Sequence, residues 1–213
     1  MGHIIESVLK ERGIAYGGWS EDIASFDKGI AKESVCVDFT TPDAFRSNYK
    51  SIADSFKAAV VGTTGWYDIK EEVSDYFLRR GTPLIWGSNF SVGVNVLSAA
   101  VELVAKYFAK TGGYTPYIIE KHHCHKLDAP SGTAITLAED VGRYIPGNVQ
   151  IASVRAGEIP GIHTVSFEGT NDRLTLEHEA FSRRALAEGA VTAAAMTEGL
   201  TGVHEFKELF FGD

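Results

Sequence analysis

Residues 121–126 hold three imidazoles and two amines in six consecutive positions. If a strand continues through this cluster, alternate side chains share a face. One face then carries His123 and His125, and the other carries His122, Cys124 and Lys126. An imidazole titrates near neutrality and can deliver a proton, and a lysine ammonium can balance a carboxylate. The cluster therefore predicts acid/base chemistry on an anionic organic ligand.

A helix start follows the cluster. Residues 128–133 lead into a pattern in which Ile135, Leu137 and Val141 lie on one helical segment. The first N–H groups of a helix have no partner inside it, and with the helix dipole they attract anions. The backbone near Gly132 and Thr133 is therefore predicted to bind the same ligand.

Zinc is the main chemical alternative, because the four residues 122–125 are all of types that ligate it. Four adjacent strand residues cannot all converge on one tetrahedral ion, and the sequence contains no HExxH motif and no paired CxxC motif. We therefore predict no metal, with a zinc hydrolase as an alternative. Ordinary surface or core histidines at a strand end are a second alternative.

Residues 1–91 alternate short apolar runs with helical patterns, which favours a parallel sheet flanked by helices. Strands are predicted at 35–39, 58–61 and 83–86. Thr41, Pro42 and Asp43 are typical of a helix start. Asp68 is predicted to cap a further helix that ends at Arg80, with Gly81 beyond it.

Two loops follow the second and third of these strands, Gly-Thr-Thr-Gly at 62–65 and Gly-Ser-Asn-Phe-Ser at 87–91. Open α/β sheets bind ligands at the carboxyl ends of their strands, and glycine permits close backbone approach. An ordinary turn is the alternative for the first loop. For the second, a packing role for Phe90 is the alternative.

Beyond residue 91 the pattern changes to α+β. A long helix is predicted at 92–110, and strands at 117–120, 149–154, 163–167 and 174–178 are joined mostly by turns, which favours a mixed or antiparallel sheet. A closing helix is predicted at 184–196. The expected division is a domain of residues 1–91 completed by 184–213, and a second domain of 92–183.

Bulk properties limit the class of protein. The net charge of −8 gives no basic stripe for nucleic acid, and no apolar run approaches the length of a bilayer span. Two cysteines make no disulfide framework. We expect a globular cytoplasmic protein with neither a nucleic-acid nor a membrane partner.

Residues 120–133 resemble the signature of the dihydrodipicolinate reductase family. Residues 60–65 and 88–95 resemble family loops that line the cofactor, and 157–165 resemble its substrate-domain hairpin, so the likeness covers nearly the whole chain in order. The resemblance implies a Rossmann-like nucleotide-binding domain and an α+β domain for substrate binding and tetramerisation. It also implies reduction of 4-hydroxy-tetrahydrodipicolinate to tetrahydrodipicolinate with NADH or NADPH, in diaminopimelate and lysine biosynthesis, by a homotetramer.

The resemblance also implies roles for individual residues. His122 and Lys126 would be catalytic, with either delivering the proton. The dicarboxylate would be bound by His123, Lys126, Ser131, Gly132 and Thr133. The cofactor would be bound by Gly2, Glu21, Gly62, Thr63, Thr64, Gly87, Ser88, Asn89, Phe90 and Arg183.

The chain departs from the family at its start. A complete member begins with a strand and a glycine-rich turn, and Met1-Gly2 matches only the end of that fingerprint. The first strand and two glycines are then absent from this sequence, which predicts weaker cofactor binding and lower stability. Glu21 lies at the distance expected of a ribose-binding acid, with a solvated turn as the alternative. A non-catalytic relative that binds a dicarboxylate without a cofactor is therefore the alternative function.

Overall fold

The computed structural model describes residues 1–20 and 22–212. The chain forms two compact units. Unit 1 comprises Met1–Ser91 and Arg184–Asp213, and unit 2 comprises Val92–Arg183. The predicted fold class is confirmed, since unit 1 contains a parallel sheet and unit 2 a mixed sheet.

The sheet of unit 1 has four parallel strands in the order β1-β2-β3-β8. They are β1 (Val35–Asp38), β2 (Ala58–Val61), β3 (Leu84–Trp86) and β8 (Val203–Glu205). Every residue of β2 is buried. Because its side chains alternate, Ala59 and Val61 enter one apolar cluster with Trp66, and Val60 enters another with Phe206. Both faces of the sheet are thus covered, as parallel sheets require.

The described residues of unit 1 also form six helices. They are α1 (Gly2–Glu11), α2 (Lys28–Glu33), α3 (Pro42–Ser55), α4 (Lys70–Arg80), α7 (Arg184–Met196) and α8 (Phe206–Phe211). Thr41 caps α3 by accepting a hydrogen bond from the Ala44 N–H at 3.3 Å, and Gly81 ends α4 with a φ of 69°. The strand β8 and the helices α2 and α8 were not among the predicted elements.

The predicted cap of α4 was wrong. Ile69 occupies the N-cap position and makes no side-chain cap, while Asp68 lies in a short 3-10 turn, Tyr67–Ile69. The Asp68 carboxylate instead binds the Arg46 guanidinium, with Nη1 to Oδ2 at 3.0 Å. The added 3-10 turn moves the helix start beyond Asp68, which leaves its carboxylate available to α3.

The sheet of unit 2 has the order β5-β4-β6-β7. Its strands are β4 (Thr115–His122), β5 (Gln150–Arg155), β6 (Ile162–Glu168) and β7 (Arg173–Glu179). Strands β4 and β5 are parallel, and the other two pairings are antiparallel. Helices α5 (Val92–Thr111) and α6 (Gly132–Gly142) contribute Leu97, Val101 and Leu137 to the core around Phe167 and Ile118.

Helix α5 is long and apolar enough, by length and composition, to cross a membrane. The expectation that no apolar run approaches this length was therefore wrong. Leu97, Val101 and Ala105 lie in the core of unit 2, and the Ser98 hydroxyl binds the buried Asp140 of α6. These contacts are those of a core helix of a folded domain.

Candidate active site

Strand β4 places Glu120 and His122 on one face of the sheet, because they are two residues apart. Both side chains are buried. The strand ends at His122, so the condition for alternation through Lys126, that the strand continues, is not met. Residues 123–126 form a turn, in which the Lys126 N–H binds the His123 carbonyl at 3.2 Å and the Cys124 N–H binds the Gly157 carbonyl at 3.1 Å.

The Glu120 carboxylate is fully buried and has several partners. Arg155 binds it bidentately, with Nη1 to Oε2 at 3.0 Å and Nη2 to Oε1 at 2.7 Å. The Oε2 atom also bonds His122 Nδ1, and the Ser131 N–H lies 3.4 Å from Oε1. Burial opposes ionisation, but Arg155, Ser153 and His122 outweigh it and lower the Glu120 pKa to about 2. Glu120 is therefore a carboxylate at neutral pH.

Two imidazoles, those of His122 and His163, lie next to each other near this carboxylate. The rings of His122 and His163 are 5.1 Å apart at an angle of 72°. Burial lowers the His122 pKa, opposed by the adjacent Glu120 and reinforced by Lys126 and Arg155. Burial, reinforced by the charge of His122, lowers the pKa of His163 to about 4. The charge of Glu120 raises the pKa of both rings, but of the two it is His122 that is hydrogen-bonded to the carboxylate.

Ser131 joins the network to helix α6. Its hydroxyl accepts the Ala134 N–H at 3.2 Å as the N-cap, and lies 3.2 Å from His163 Nε2. The side chain is buried. Ser131, which the sequence predicts to bind substrate, is thus already hydrogen-bonded within the protein. The next two residues are the exposed Gly132 and the half-buried Thr133.

Lys126 lies in the turn that leads to α6. Its Nζ binds both oxygens of Asp128, at 2.6 and 2.9 Å. Burial raises the Asp128 pKa, but Lys126 and the backbone of Gly132 outweigh that effect and lower it. The carboxylate of Asp128 thus lies between the ammonium and the helix N-terminus, the two groups predicted to bind a substrate anion.

Residues 122–125 do not converge on one point. His122 groups with Glu120 and His163, and Cys124 and His125 group with Glu158, the donor atoms of each trio lying within 4.8 Å. In the first trio, the Arg155 guanidinium already binds the Glu120 carboxylate, and its positive charge would repel a metal ion. The second trio is exposed, and exposed groups of this kind are common without an ion.

In unit 1, the loop after β2 is closely packed. The Thr63 hydroxyl binds the buried Asp38 at the end of β1, and the Trp66 indole N–H donates to the Thr63 carbonyl at 2.7 Å. A Cβ at position 62 would lie 2.2 Å from the Phe39 ring. Glycine is therefore required at Gly62 for packing, whatever ligand approaches the loop.

The loop after β3 separates buried from exposed residues. Gly87 is buried, Asn89 is half-buried and accepts the Ser91 N–H at 2.8 Å, and Ser88 is exposed. Phe90 is buried and stacks on Phe206, with 4.8 Å between ring centroids. Any contact of Phe90 with a cofactor would therefore come from its backbone.

The remaining predicted cofactor residues are dispersed along the chain. Gly2 begins α1, where Met1 provides no side-chain cap. Thr64 in unit 1 and Arg183 at the end of unit 2 are exposed. Glu21, predicted to bind a ribose, lies outside the described residues.

A pyridine nucleotide fits the donors of unit 1. The exposed Thr64 and Ser88 follow adjacent parallel strands at the edge where open sheets bind nucleotides. Phe39 lies against Gly62 and belongs to the same apolar cluster as Met1. Met1 is the N-cap residue of α1 and gives that helix no side-chain cap. Hydroxyls and helix N–H groups are suitable donors for phosphates.

Sequence reasoning missed Glu120, Arg155, His163 and Asp128 as members of the site. The spacing of Glu120 and His122 on a predicted strand could have identified the first. Arg155 and His163 reach the site through strand pairing, opposite His122 and Glu120 respectively. Their distance along the sequence conceals this.

Comparison with known proteins places the chain in a family. Residues 10–90 match the family model "Dihydrodipicolinate reductase, N-terminus", and 93–210 match "Dihydrodipicolinate reductase, C-terminus". The 4-hydroxy-tetrahydrodipicolinate reductase of Ralstonia pickettii is 32% identical over 226 residues, which cover 96% of this chain and 85% of that protein.

Solved structures share the fold. The dipicolinate-bound dihydrodipicolinate reductase of Paenisporosarcina sp. TG-14 has a TM-score of 0.74 and 22% identity, over 94% of this chain and 83% of that one. An engineered D-amino acid dehydrogenase bound to NADP+ has a TM-score of 0.50 and 13% identity, over 100% and 93%. The two family models together span most of the sequence, and the chain belongs to the dihydrodipicolinate reductase family.

Proposed function

We propose that this chain reduces 4-hydroxy-tetrahydrodipicolinate to tetrahydrodipicolinate with NADH or NADPH, in diaminopimelate and lysine biosynthesis. The observation that carries the proposal is the buried Glu120–His122 pair beside Lys126, in a chain of this family. Loss of the hydroxyl group requires that one hydride and one proton enter the substrate and one water leave.

His122 is the proposed proton donor. An imidazole suits this role because its pKa lies near neutrality, and Glu120 stabilises its charged form. Burial lowers the His122 pKa, so the free protein carries the ring mainly neutral at neutral pH. A bound dianion next to the ring would favour the imidazolium.

The dianion is proposed to bind between the turn and helix α6. Lys126 supplies a positive charge, His123 a ring nitrogen, and Gly132 and Thr133 the start of the helix. Ser131 supports this group by capping α6. In the free protein Asp128 binds Lys126, so substrate binding requires Lys126 to exchange one carboxylate for another.

The cofactor is proposed to bind unit 1 through Gly2, Gly62, Thr63, Thr64 and the residues 87–90, with Glu21 on a ribose and Arg183 nearby. When bound, a reduced nicotinamide supplies a hydride. The backbone at Gly62 and Gly87 and the hydroxyls of Thr64 and Ser88 would hold and orient it. Selection between NADH and NADPH would fall to the residues at the ribose.

Assembly and location are also proposals. Strands β5 and β7 leave apolar side chains exposed, including Val154 and Leu174, which supports a homotetramer assembled through unit 2. The net charge of −8 opposes nucleic-acid binding, and the core contacts of α5 oppose a membrane role. A biosynthetic reductase with free cysteines suits the cytoplasm.

Steady-state oxidation of NADH and of NADPH tests the proposal, with substrate generated enzymatically in the same cuvette. We expect turnover that depends on this substrate and stops on adding dipicolinate. A folded chain that shows no turnover would contradict the proposal. If calorimetry then detected dipicolinate binding but no nucleotide binding, the chain would be the non-catalytic relative.

A further inference from the structure

The network around Glu120 contains a buried ion pair, Glu120 with Arg155, to which the proposed reaction gives no role. Glu120 has no exposed surface, and its carboxylate receives hydrogen bonds from His122, Arg155 and Ser131. A buried ion pair is weak as a stabilising device, because desolvation offsets much of the attraction. The pair therefore calls for a role other than stability.

We propose that Glu120, clamped by Arg155, is the positioning residue that fixes the tautomer and orientation of His122 for proton transfer. The inference rests on the proposed reductase function. It adds the group that decides which imidazole nitrogen is presented to the substrate.

The tautomer follows from hydrogen-bond chemistry. An ionised carboxylate can only accept, so the nitrogen that it contacts, His122 Nδ1, must carry hydrogen. Arg155 keeps Glu120 ionised, because a guanidinium stays charged and binds both oxygens. The proton of the imidazole therefore does not transfer to Glu120, and Nε2 remains as the reactive nitrogen.

The space beside Nε2 agrees with this assignment. A Cβ at position 161 would lie 3.1 Å from His122 Nε2, so Gly161 leaves room that another residue would fill. In the protonated ring each nitrogen carries one hydrogen. When Nε2 gives its proton to the substrate, the N–H bonding pair stays on Nε2 and the neutral ring keeps the hydrogen on Nδ1. Glu120 stays ionised throughout.

The charges around His122 determine how its titration responds to Glu120. Arg155 on β5 and Lys126 in the turn are cations, and the neighbouring ring of His163 on β6 is held neutral. Among the described residues these groups and Glu120 are the titratable ones acting on the ring. Removing the charge of Glu120 leaves the ring facing only cations and a neutral imidazole. The protonated form then becomes less favourable.

A double-mutant cycle tests the proposal, using Glu120→Gln, His122→Gln and the combined variant. We expect Glu120→Gln to lower kcat by roughly 10²- to 10⁴-fold, the usual range for acid–base catalysis, with the KM for substrate changed by less than about threefold. In the His122→Gln background the same change should lower kcat by less than about threefold, because Glu120 acts through the ring. An equal loss in both backgrounds would overturn the proposal.

Two further readouts separate positioning from folding. The fall in kcat at high pH should occur at lower pH in Glu120→Gln than in the unmodified chain, whereas a merely structural loss would leave the pH profile in place. NMR of ¹⁵N-labelled histidine should show hydrogen on Nδ1 of His122 in the unmodified chain and a mixture of tautomers in Glu120→Gln. An unmodified chain with hydrogen on Nε2 would contradict the proposal.

Matched controls keep the test decisive. Glu158 pairs with His125 at 3.4 Å, but both side chains are exposed, so Glu158→Gln removes a similar carboxylate–imidazole contact without effect on kcat. If Glu120→Gln does not fold, Glu120→Asp retains the charge for Arg155, and the same cycle is run with it. The NMR measurement needs no substrate, so it tests the positioning role even if the chain shows no turnover.

Discussion

Acidification should destabilise unit 2, with the largest contribution from one buried imidazole, His163. His163 is almost fully buried, and its Nδ1 has no hydrogen-bond partner among the residues that the structure describes. Its pKa is about 4, against about 6.5 for an exposed histidine. Between these values the unfolded chain binds a proton that the folded chain does not, so stability is present above about pH 6.5 and is lost as pH falls towards 4.

The size of the effect follows from the two pKa values. A difference of about 2.5 pH units corresponds to ~3 kcal/mol over the whole window. About 2 kcal/mol of this should be lost between about pH 7 and about pH 5. Glu120, with a pKa of about 2, loses its contribution only below the ordinary glutamate value near 4.5. Glu120 therefore contributes little to the loss between about pH 7 and about pH 5.

Hydrogen exchange of the β6 amides measures this loss locally, at about pH 7 and about pH 5. In His163→Gln the fall in local opening free energy should be smaller than in the unmodified chain by about 2 kcal/mol. His3→Gln, at a ring that is 90% exposed, serves as the control and should behave as the unmodified chain. Parallel falls in all three proteins would refute the reasoning.

Three further changes test the two sites. Gly62→Ala should lower the free energy of unfolding by about 1–3 kcal/mol in thermal or urea denaturation, because its Cβ would meet Phe39 at 2.2 Å, and Phe39→Leu should recover much of the loss. Asp128→Asn should lower the KM for substrate by up to about fivefold, since Lys126 loses a competing carboxylate, and an unchanged KM would contradict this competition. His122→Gln should lower kcat by roughly 10²- to 10⁴-fold, with a cost in thermal stability of only about 1 kcal/mol because glutamine keeps a donor for the carboxylate.

The sequence predicted most of the larger elements because their signals are local. Apolar runs and capping residues located β1, β2, α3 and α7, and the predicted closing helix 184–196 coincides with α7. Elements without such signals were missed. Strand β8 has one apolar residue, Val203, among its three, and α8 has six residues, which is too short for a helical period to emerge.

The cluster at residues 121–126 was visible because it is contiguous, but its geometry was not. Its strand ends at His122, since the next residues form a turn closed by backbone hydrogen bonds to His123 and Gly157. Strand pairing determines which other residues join the site. The registers that set Arg155 opposite His122 and His163 opposite Glu120 depend on which strands pair, and periodicity within one strand carries no information about its neighbours.

The difference between the two imidazoles shows why composition alone could not assign the proton donor. His122 and His163 are both buried, and their rings are in contact distance, so burial lowers the pKa of both. What distinguishes them is the hydrogen-bond partner of each ring, at Nδ1 of His122 and at Nε2 of His163. His122 meets an ionised carboxylate, which favours the imidazolium, whereas His163 meets the hydroxyl of Ser131, which also serves as a helix cap and carries no charge. Two residues of one type in one pocket thus acquire different roles from partners that only the folded sheet brings to them.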